Sequence, residues 1–323
     1  MLPIFKVAIS GTLLLVFLAG PAMAGEDAIP LQTGAMLIGL VGGLALFLYG
    51  MDHLASALKT LAGARLRRIL SNMTRNRIWA ALSGAVITGL VQSSSVTTVL
   101  VVGFVSAGLM PFAQAIAVIM GANMGSTLTA QIIAFRIEAI APLFIAIGFA
   151  MTMLADRKRF TLIGKAVLGL GLLFFGMGMM SQAMEPLRSF QPFISLMGEM
   201  RNPFTAILVA AAFTALVQSS AATMGIVIVL AGQGLVSLEG GIALIFGANI
   251  GTCVTALLGA IGKNRDGVRT AVGHILFNVI GVVIWLPFID LLAGVVRGVT
   301  MGGDIDNADI AREIANAHSI FNI

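Results

Sequence analysis

The chain has little of what soluble proteins use to coat or cross-link themselves. Its 323 residues include one cysteine, one tyrosine and two tryptophans, and only 10% are charged. The lone Cys253 excludes an internal disulfide framework, and no CxxC or HExxH pattern points to a transition metal. So little charge excludes a soluble domain of this size. The net charge of +5 comes from a few short loops, so it reads as a membrane-orientation signal and not as a nucleic-acid surface. In place of charge there is 58% hydrophobic residues, a mean hydropathy of +1.01 and 38 glycines, the small residues that let membrane helices pack closely. The expectation is an all-α, multi-pass membrane protein.

Lys6 precedes an apolar run, Val7 to Ala19, and Ala22-Met23-Ala24 is a small-x-small pattern, so residues 1–24 read as a cleaved signal peptide. Residues 34–51 are apolar and long enough to span. A basic segment follows, with Lys59, Arg65, Arg67, Arg68, Arg75 and Arg77. Ile78 to Val91 is apolar but would reach only about 21 Å as a helix, short of a ~30 Å hydrocarbon core. It stops at Gln92-Ser93-Ser94-Ser95, and a second short arm, Val96 to Met110, follows. Two short arms meeting at a polar tip read as a re-entrant hairpin. Phe112 to Phe135 is expected to be a helix broken at Gly121-Ala122-Asn123-Met124-Gly125-Ser126-Thr127, and Ala139 to Leu154 to span again.

The pattern then recurs. Gln92-Ser93-Ser94 returns as Gln218-Ser219-Ser220, Gly121-Ala122-Asn123 as Gly247-Ala248-Asn249, and Gly50-Met51 as Gly176-Met177, each 126 positions on. An ungapped duplication with its polar motifs in register is an internal repeat. Residues 34–155 form the first copy and 161–270 the second, and 271–323 add further membrane helices. The basic loops after residue 58 and around Asp156–Arg159 and Lys263–Arg269 read as cytoplasmic. The mixed loop with Glu185, Arg188, Glu199 and Arg201, and the acidic Asp304, Asp306 and Asp309, then fall outside. One assignment satisfies every loop, and it inverts the second copy relative to the first, a recurring plan of secondary transporters.

Hydroxyls and amides cost a few kcal/mol each in hydrocarbon when unpaired. An isolated threonine such as Thr88, Thr97, Thr98 or Thr214 is explained equally well as helix–helix glue. Two broken, duplicated Gln-Ser-Ser clusters are not. At a hairpin tip the free N–H groups of a helix N-terminus and adjacent hydroxyls make a neutral pocket for an anion, which selects Gln92, Ser93, Ser94, Ser95, Gln218, Ser219 and Ser220. The Gly-Ala-Asn-x-Gly breaks offer hard oxygens for a small cation: unwound carbonyls with Asn123, Thr127, Asn249, Thr252 and Thr255. No Lys or Arg lies in these motifs, so a bound anion needs a mobile countercharge, and a co-bound cation supplies it.

These paired motifs resemble the type II sodium/phosphate cotransporter family and its bacterial members. His274-Ile275-Leu276-Phe277-Asn278 and Ala317-His318-Ser319-Ile320-Phe321-Asn322 are similar to that family's His-x-x-Phe-Asn segments. The resemblance covers residues 34–323. It implies two inverted repeats with re-entrant hairpins, phosphate at the Gln-Ser-Ser tips, sodium as coupling ion with no other cofactor, and elevator-like alternating access in a bacterial inner membrane. The second motif carries Ala221 where the first has Ser95, and Ala64 to Leu70, ahead of the first, holds only Arg65, Arg67 and Arg68 as charges where some members of that family have an aspartate, which leans toward electroneutral transport. Relatives of this kind continue past the point where residue 323 falls, often into a cytoplasmic helical domain, so the expectation is a fragment. A homodimer stays open as a partner assembly, and no nucleic acid is expected. Four rivals stand beside this reading: a sodium-independent phosphate exporter, a carrier of another oxyanion, a phosphate sensor, and a serine hydrolase. The hydrolase lacks a base near either serine cluster in sequence, so the expectation is not an enzyme. His274 and His318 read as packing residues.

Overall fold

The computed structural model describes residues 33–72, 76–135, 137–199, 202–300 and 307–323. The expected signal peptide, residues 1–24, lies outside the described residues. So do Arg75, Arg201, Asp304 and Asp306, and the side chains of Arg65, Arg67, Arg68, Glu199 and Asp309. The described residues form α-helices and short 3-10 turns, with no strand.

Helix α1, Thr33–Asn72, is kinked at Gly63 (φ 42°), and α2, Arg77–Val91, and α3, Ser94–Ser106, form a pair ahead of α4, Phe112–Ile133. After α5, Ala141–Leu154, comes α6, Lys158–Met184, then a short α7, Gln191–Glu199. A second pair, α8, Pro203–Val217, and α9, Ser220–Gly232, leads to α10, Leu238–Ala260. The chain ends with α11, Arg265–Trp285, α12, Ile289–Thr300, and α13, Asn307–Asn322. The first and last residues of α2 and α3 lie 126 positions before those of α8 and α9, so the sequence repeat is also a repeat of elements.

Among the described residues, five stretches are long and apolar enough to cross a membrane: Gly34–Gly63, Phe112–Ile133, Lys158–Arg188, Leu238–Ala260 and Arg265–Thr300. The pairs α2/α3 and α8/α9 are shorter, as expected for hairpin arms. The expected span Ala139 to Leu154 falls on a 3-10 turn, Glu138–Ile140, and a 14-residue helix that reaches about 21 Å. Lipid-type surface is evident in exposed side chains such as Ile78, Leu154, Leu208 and Phe204.

The expected helix breaks at the Gly-Ala-Asn motifs are absent. Both α4 and α10 run through them without interruption, over 22 and 23 residues. The glycines serve contact and not breakage. A Cβ on Gly121 would sit 1.8 Å from the Ala81 carbonyl oxygen, and one on Gly125 would sit 2.3 Å from that of Ala85. In the second copy Gly247 faces the Ile207 oxygen at 2.3 Å and Gly251 faces that of Ala211 at 2.4 Å. Each long helix is thus pressed backbone to backbone against the first arm of its own pair, with contacts advancing in the same direction along both helices. The unwound carbonyls expected as cation ligands are therefore engaged in helix bonding.

The opening helices of the two copies meet in the opposite sense. A Cβ on Gly43 would collide with the Gly176 carbonyl oxygen (2.7 Å), and one on Gly50 with that of Gly169 (2.5 Å). Residue numbers rise along α1 as they fall along α6, so these two helices are antiparallel. Phe47, Phe174 and Phe246 fill the core beneath this contact, each at most 1% exposed.

Candidate functional site: two serine tips around one cavity

Each short arm ends the same way. The Gln92 N–H returns to the Thr88 carbonyl (2.7 Å) and the residue turns into the left-handed region at φ 56°; Gln218 repeats this with Thr214 (2.7 Å) and φ 57°. Among the described residues these are the two non-glycine positions with positive φ. Such a backbone costs an L-residue about 1–2 kcal/mol, so two glutamines held there are informative: glycine would be cheaper unless the side chain is needed.

The next residue caps the outgoing arm. Ser93 Oγ accepts from the Val96 N–H (3.3 Å) and Ser219 Oγ from the Ala222 N–H (3.2 Å). The first amides of α3 and α9, those of Ser94, Ser95, Ser220 and Ala221, have no intrahelical acceptor. The arms are tied one turn back: Thr88 Oγ1 donates to Thr97 Oγ1 (2.9 Å), and Thr214 and Thr223 share a bond of 2.6 Å. Here the glue reading of Thr88, Thr97 and Thr214 holds, while Thr98 Oγ1 is buried without a partner.

The two tips, far apart in sequence, border one cavity of about 60 Å³. Gln92, Ser93, Ser94, Ser95, Gln218, Ser219 and Ser220 all line it, so every residue selected for the anion is brought together. The rest of the wall is Ser126, Thr129, Ala130, Ala221, Met224, Ala248, Asn249 and His318, with no Asp, Glu, Lys or Arg.

Of the residues selected for a cation, Asn249 lies on this wall. Asn123 is buried beside it in α4, where its amide donates to Asn278 Oδ1 (2.9 Å); Asn249 donates likewise to Asn322 Oδ1 (3.2 Å). As oriented, both pairs leave the Oδ1 of Asn123 and Asn249 free to accept or ligate. Thr127 is partly exposed, satisfied by the Met124 carbonyl (2.7 Å), and off the wall. Thr252 Oγ1 donates to the Ala248 carbonyl (2.8 Å), and Thr255 Oγ1 is buried without a partner. No cluster of three His, Cys, Asp or Glu side chains occurs among the described residues.

Ser126, Thr129 and His318 were not selected from sequence. Ser126 and Thr129 stand 126 positions before Thr252 and Thr255, and with Asn123 they follow a three-residue spacing along one face of α4. The repeat register, applied in full, would have found them in place of Thr127. Thr129 Oγ1 donates to Gln92 Oε1 (3.0 Å), and the Gln92 amide donates to the Gly89 carbonyl. The equivalent tie between Thr255 and Gln218 is not made. The tips differ in cover too: Gln92, Ser94 and Ser95 are buried, whereas Gln218, Ser219 and Ser220 are half-buried.

The chain matches the model of the family described as Na+/Pi-cotransporter over residues 46–182 and 190–301. It is 32% identical over 289 residues to an uncharacterized protein, YqeW, of Bacillus subtilis, covering 89% of this chain and 92% of that one. It is also 32% identical over 261 residues to the Escherichia coli protein named "Putative inorganic phosphate export protein YjbB", covering 80% of this chain and 48% of that one, so it spans about half the length of that relative. A 100-residue stretch, 30% of this chain and 14% of the relative, is 39% identical to human sodium-dependent phosphate transport protein 2B. No solved structure matches the chain. The duplicated tips that converge on this cavity therefore sit in a chain that belongs to the Na+/Pi-cotransporter family.

Proposed function

We propose that this protein is a secondary transporter that couples sodium to the movement of inorganic phosphate across a bacterial inner membrane. The observation that carries the reading is the convergence of both Gln-Ser-Ser tips on one cavity that holds no charged side chain. Phosphate sits between the N-termini of α3 and α9, taking hydrogen bonds from the free amides of Ser94, Ser95, Ser220 and Ala221 and from the serine hydroxyls, where both helix dipoles favour an anion. An anion in a cavity with no fixed cation on its wall needs countercharge. Sodium provides it, so neither ion enters well alone. The sodium ligands proposed are Asn123, Thr127, Asn249, Thr252 and Thr255, of which Asn249 borders the anion cavity.

The transport cycle proposed is alternating access, elevator-like, with the copies inverted and each helix pair re-entrant. Three features support it. The antiparallel contact of α1 and α6 is what inversion of one copy requires. The parallel run of α2 with α4, and of α8 with α10, is what a hairpin that enters and leaves by one side requires. The unequal tips, one sealed by the Gln92–Thr129 tie and the other half-open beside an unpaired Thr255, suit a state open on one side only. In the opposite state the two tips exchange these roles.

A second reading, phosphate export that needs no sodium, takes its direction from the E. coli relative, which is named for phosphate export; phosphate sensing without transport is a third. Labelled phosphate uptake into proteoliposomes, with and without an inward sodium gradient, separates them. The expected result is uptake that needs sodium and falls at least about tenfold in Ser94→Ala and in Ser220→Ala, the size of one lost hydrogen bond to a charged group. Equal flux without sodium would move the protein to the exporters. Sodium-dependent flux untouched by both substitutions would remove the tips from the site.

A further inference from the structure

The cavity wall carries one ionisable side chain, His318, which the transport reading leaves without a role. It is placed by α13, which is fastened to both copies. Gln131 of α4 donates to Asn316 Oδ1 (3.0 Å) and Ser319 Oγ (3.1 Å). Asn249 of α10 donates to Asn322, and the Phe321 ring packs on Phe246 with centroids 4.5 Å apart. These ties hold the imidazole against the cavity, 4% exposed, with its Nδ1 buried and without a hydrogen-bond partner.

His274 provides an internal comparison. Both histidines open a His-x-x-x-Asn turn in which the asparagine amide returns to the histidine carbonyl, at 3.0 Å for Asn278 and 2.8 Å for Asn322. Both are buried with an unpartnered Nδ1, and both asparagines hold the Asn of a Gly-Ala-Asn motif. The two positions differ at the cavity: His318 reaches it and His274 does not. The clip is common to both motifs, whereas contact with a ligand is available to one.

We propose that His318 is a ligand of the transported anion, its imidazole N–H donating to a phosphate oxygen between the two serine tips. The site is then built from three parts, the two copies and the terminal helix α13. The assignment rests on the reading that the cavity holds phosphate. Either ring nitrogen can carry the donor proton in neutral imidazole, so the role needs no charge on the ring, in keeping with a wall that has none.

The test is labelled-phosphate binding by the full chain in detergent with sodium present, comparing wild type with His318→Leu, His318→Met, His318→Gln and His274→Leu. The leucine and methionine variants both lack a donor, so whichever folds carries the test. Each is expected to raise the phosphate Kd at least about tenfold, the size of one hydrogen bond to an anion. Glutamine restores an N–H and should recover most of that loss, and His274→Leu should stay within about threefold of wild type. Wild-type affinity in a donor-less His318 variant would overturn the assignment while leaving the phosphate site standing. An equal loss in His274→Leu would make the effect structural and overturn it as well. If wild type binds no phosphate, the functional reading itself falls, and the assignment with it.

Discussion

Gly121→Ala is expected to lower stability by about 3 kcal/mol, the upper end of the range for overpacking a tight contact. The reason is geometric. The added Cβ would lie 1.8 Å from the Ala81 carbonyl oxygen, which belongs to the backbone of α2 and cannot rotate away. Relief requires α2 and α4 to separate, and α2 ends in the first serine tip. Gly247→Ala meets the Ile207 oxygen at 2.3 Å and should behave similarly through α8 and α10. Gly103→Ala in α3 meets nothing within 4 Å and should be neutral or slightly stabilising, since glycine inside a helix costs roughly 0.5–1 kcal/mol relative to alanine. Thermal unfolding in one detergent decides it: a fall in the midpoint for Gly121→Ala and Gly247→Ala and none for Gly103→Ala. Were these glycines there to break a helix, alanine at Gly121 would find open space and cost little.

The second large effect separates backbone from side chain at the tip. Gln92→Gly keeps the left-handed turn and removes the side chain. Relief of the backbone conformation offers about 1–2 kcal/mol, and loss of the side-chain hydrogen bonds to Thr129 and to the Gly89 carbonyl costs about 1 kcal/mol each. The two nearly cancel, so the unfolding midpoint should move by no more than a few degrees. Phosphate affinity should nonetheless fall at least about tenfold, because the amide that lines the cavity is gone. Gln92→Leu, which keeps the strain and loses the amide, should lose both stability and affinity. An unchanged Kd in a folded Gln92→Gly protein would show that the glutamine serves the turn alone.

The tips were legible in the sequence because cost and duplication coincide there. Four consecutive polar residues in an apolar stretch need a purpose, and the return of the first three 126 residues later removes chance. The short paired helices were legible because an apolar run of 13–15 residues gives a helix of only about 20–23 Å, less than a hydrocarbon core. Glycine misled the reading of α4 and α10. It accommodates a broken helix and a close helix–helix approach equally well, and only the position of a partner backbone distinguishes them. That partner lies some 40 residues away, with nothing local to mark it. Ser126 and Thr129 were within reach through the repeat register, but Thr127 beside them looked equivalent without the helix face. His318 could not be found from its own surroundings, since His274 has nearly the same ones. Its distinction lies in where α13 docks.

The central claim is that two duplicated tips form one anion site and not two. Equilibrium dialysis of the purified chain against labelled phosphate, at saturating phosphate and sodium, counts that site directly. The account predicts one phosphate per chain, with the Ser94→Ala/Ser220→Ala double variant binding none at the same concentration. Two phosphates per chain, each lost with only one of the two serines, would contradict it.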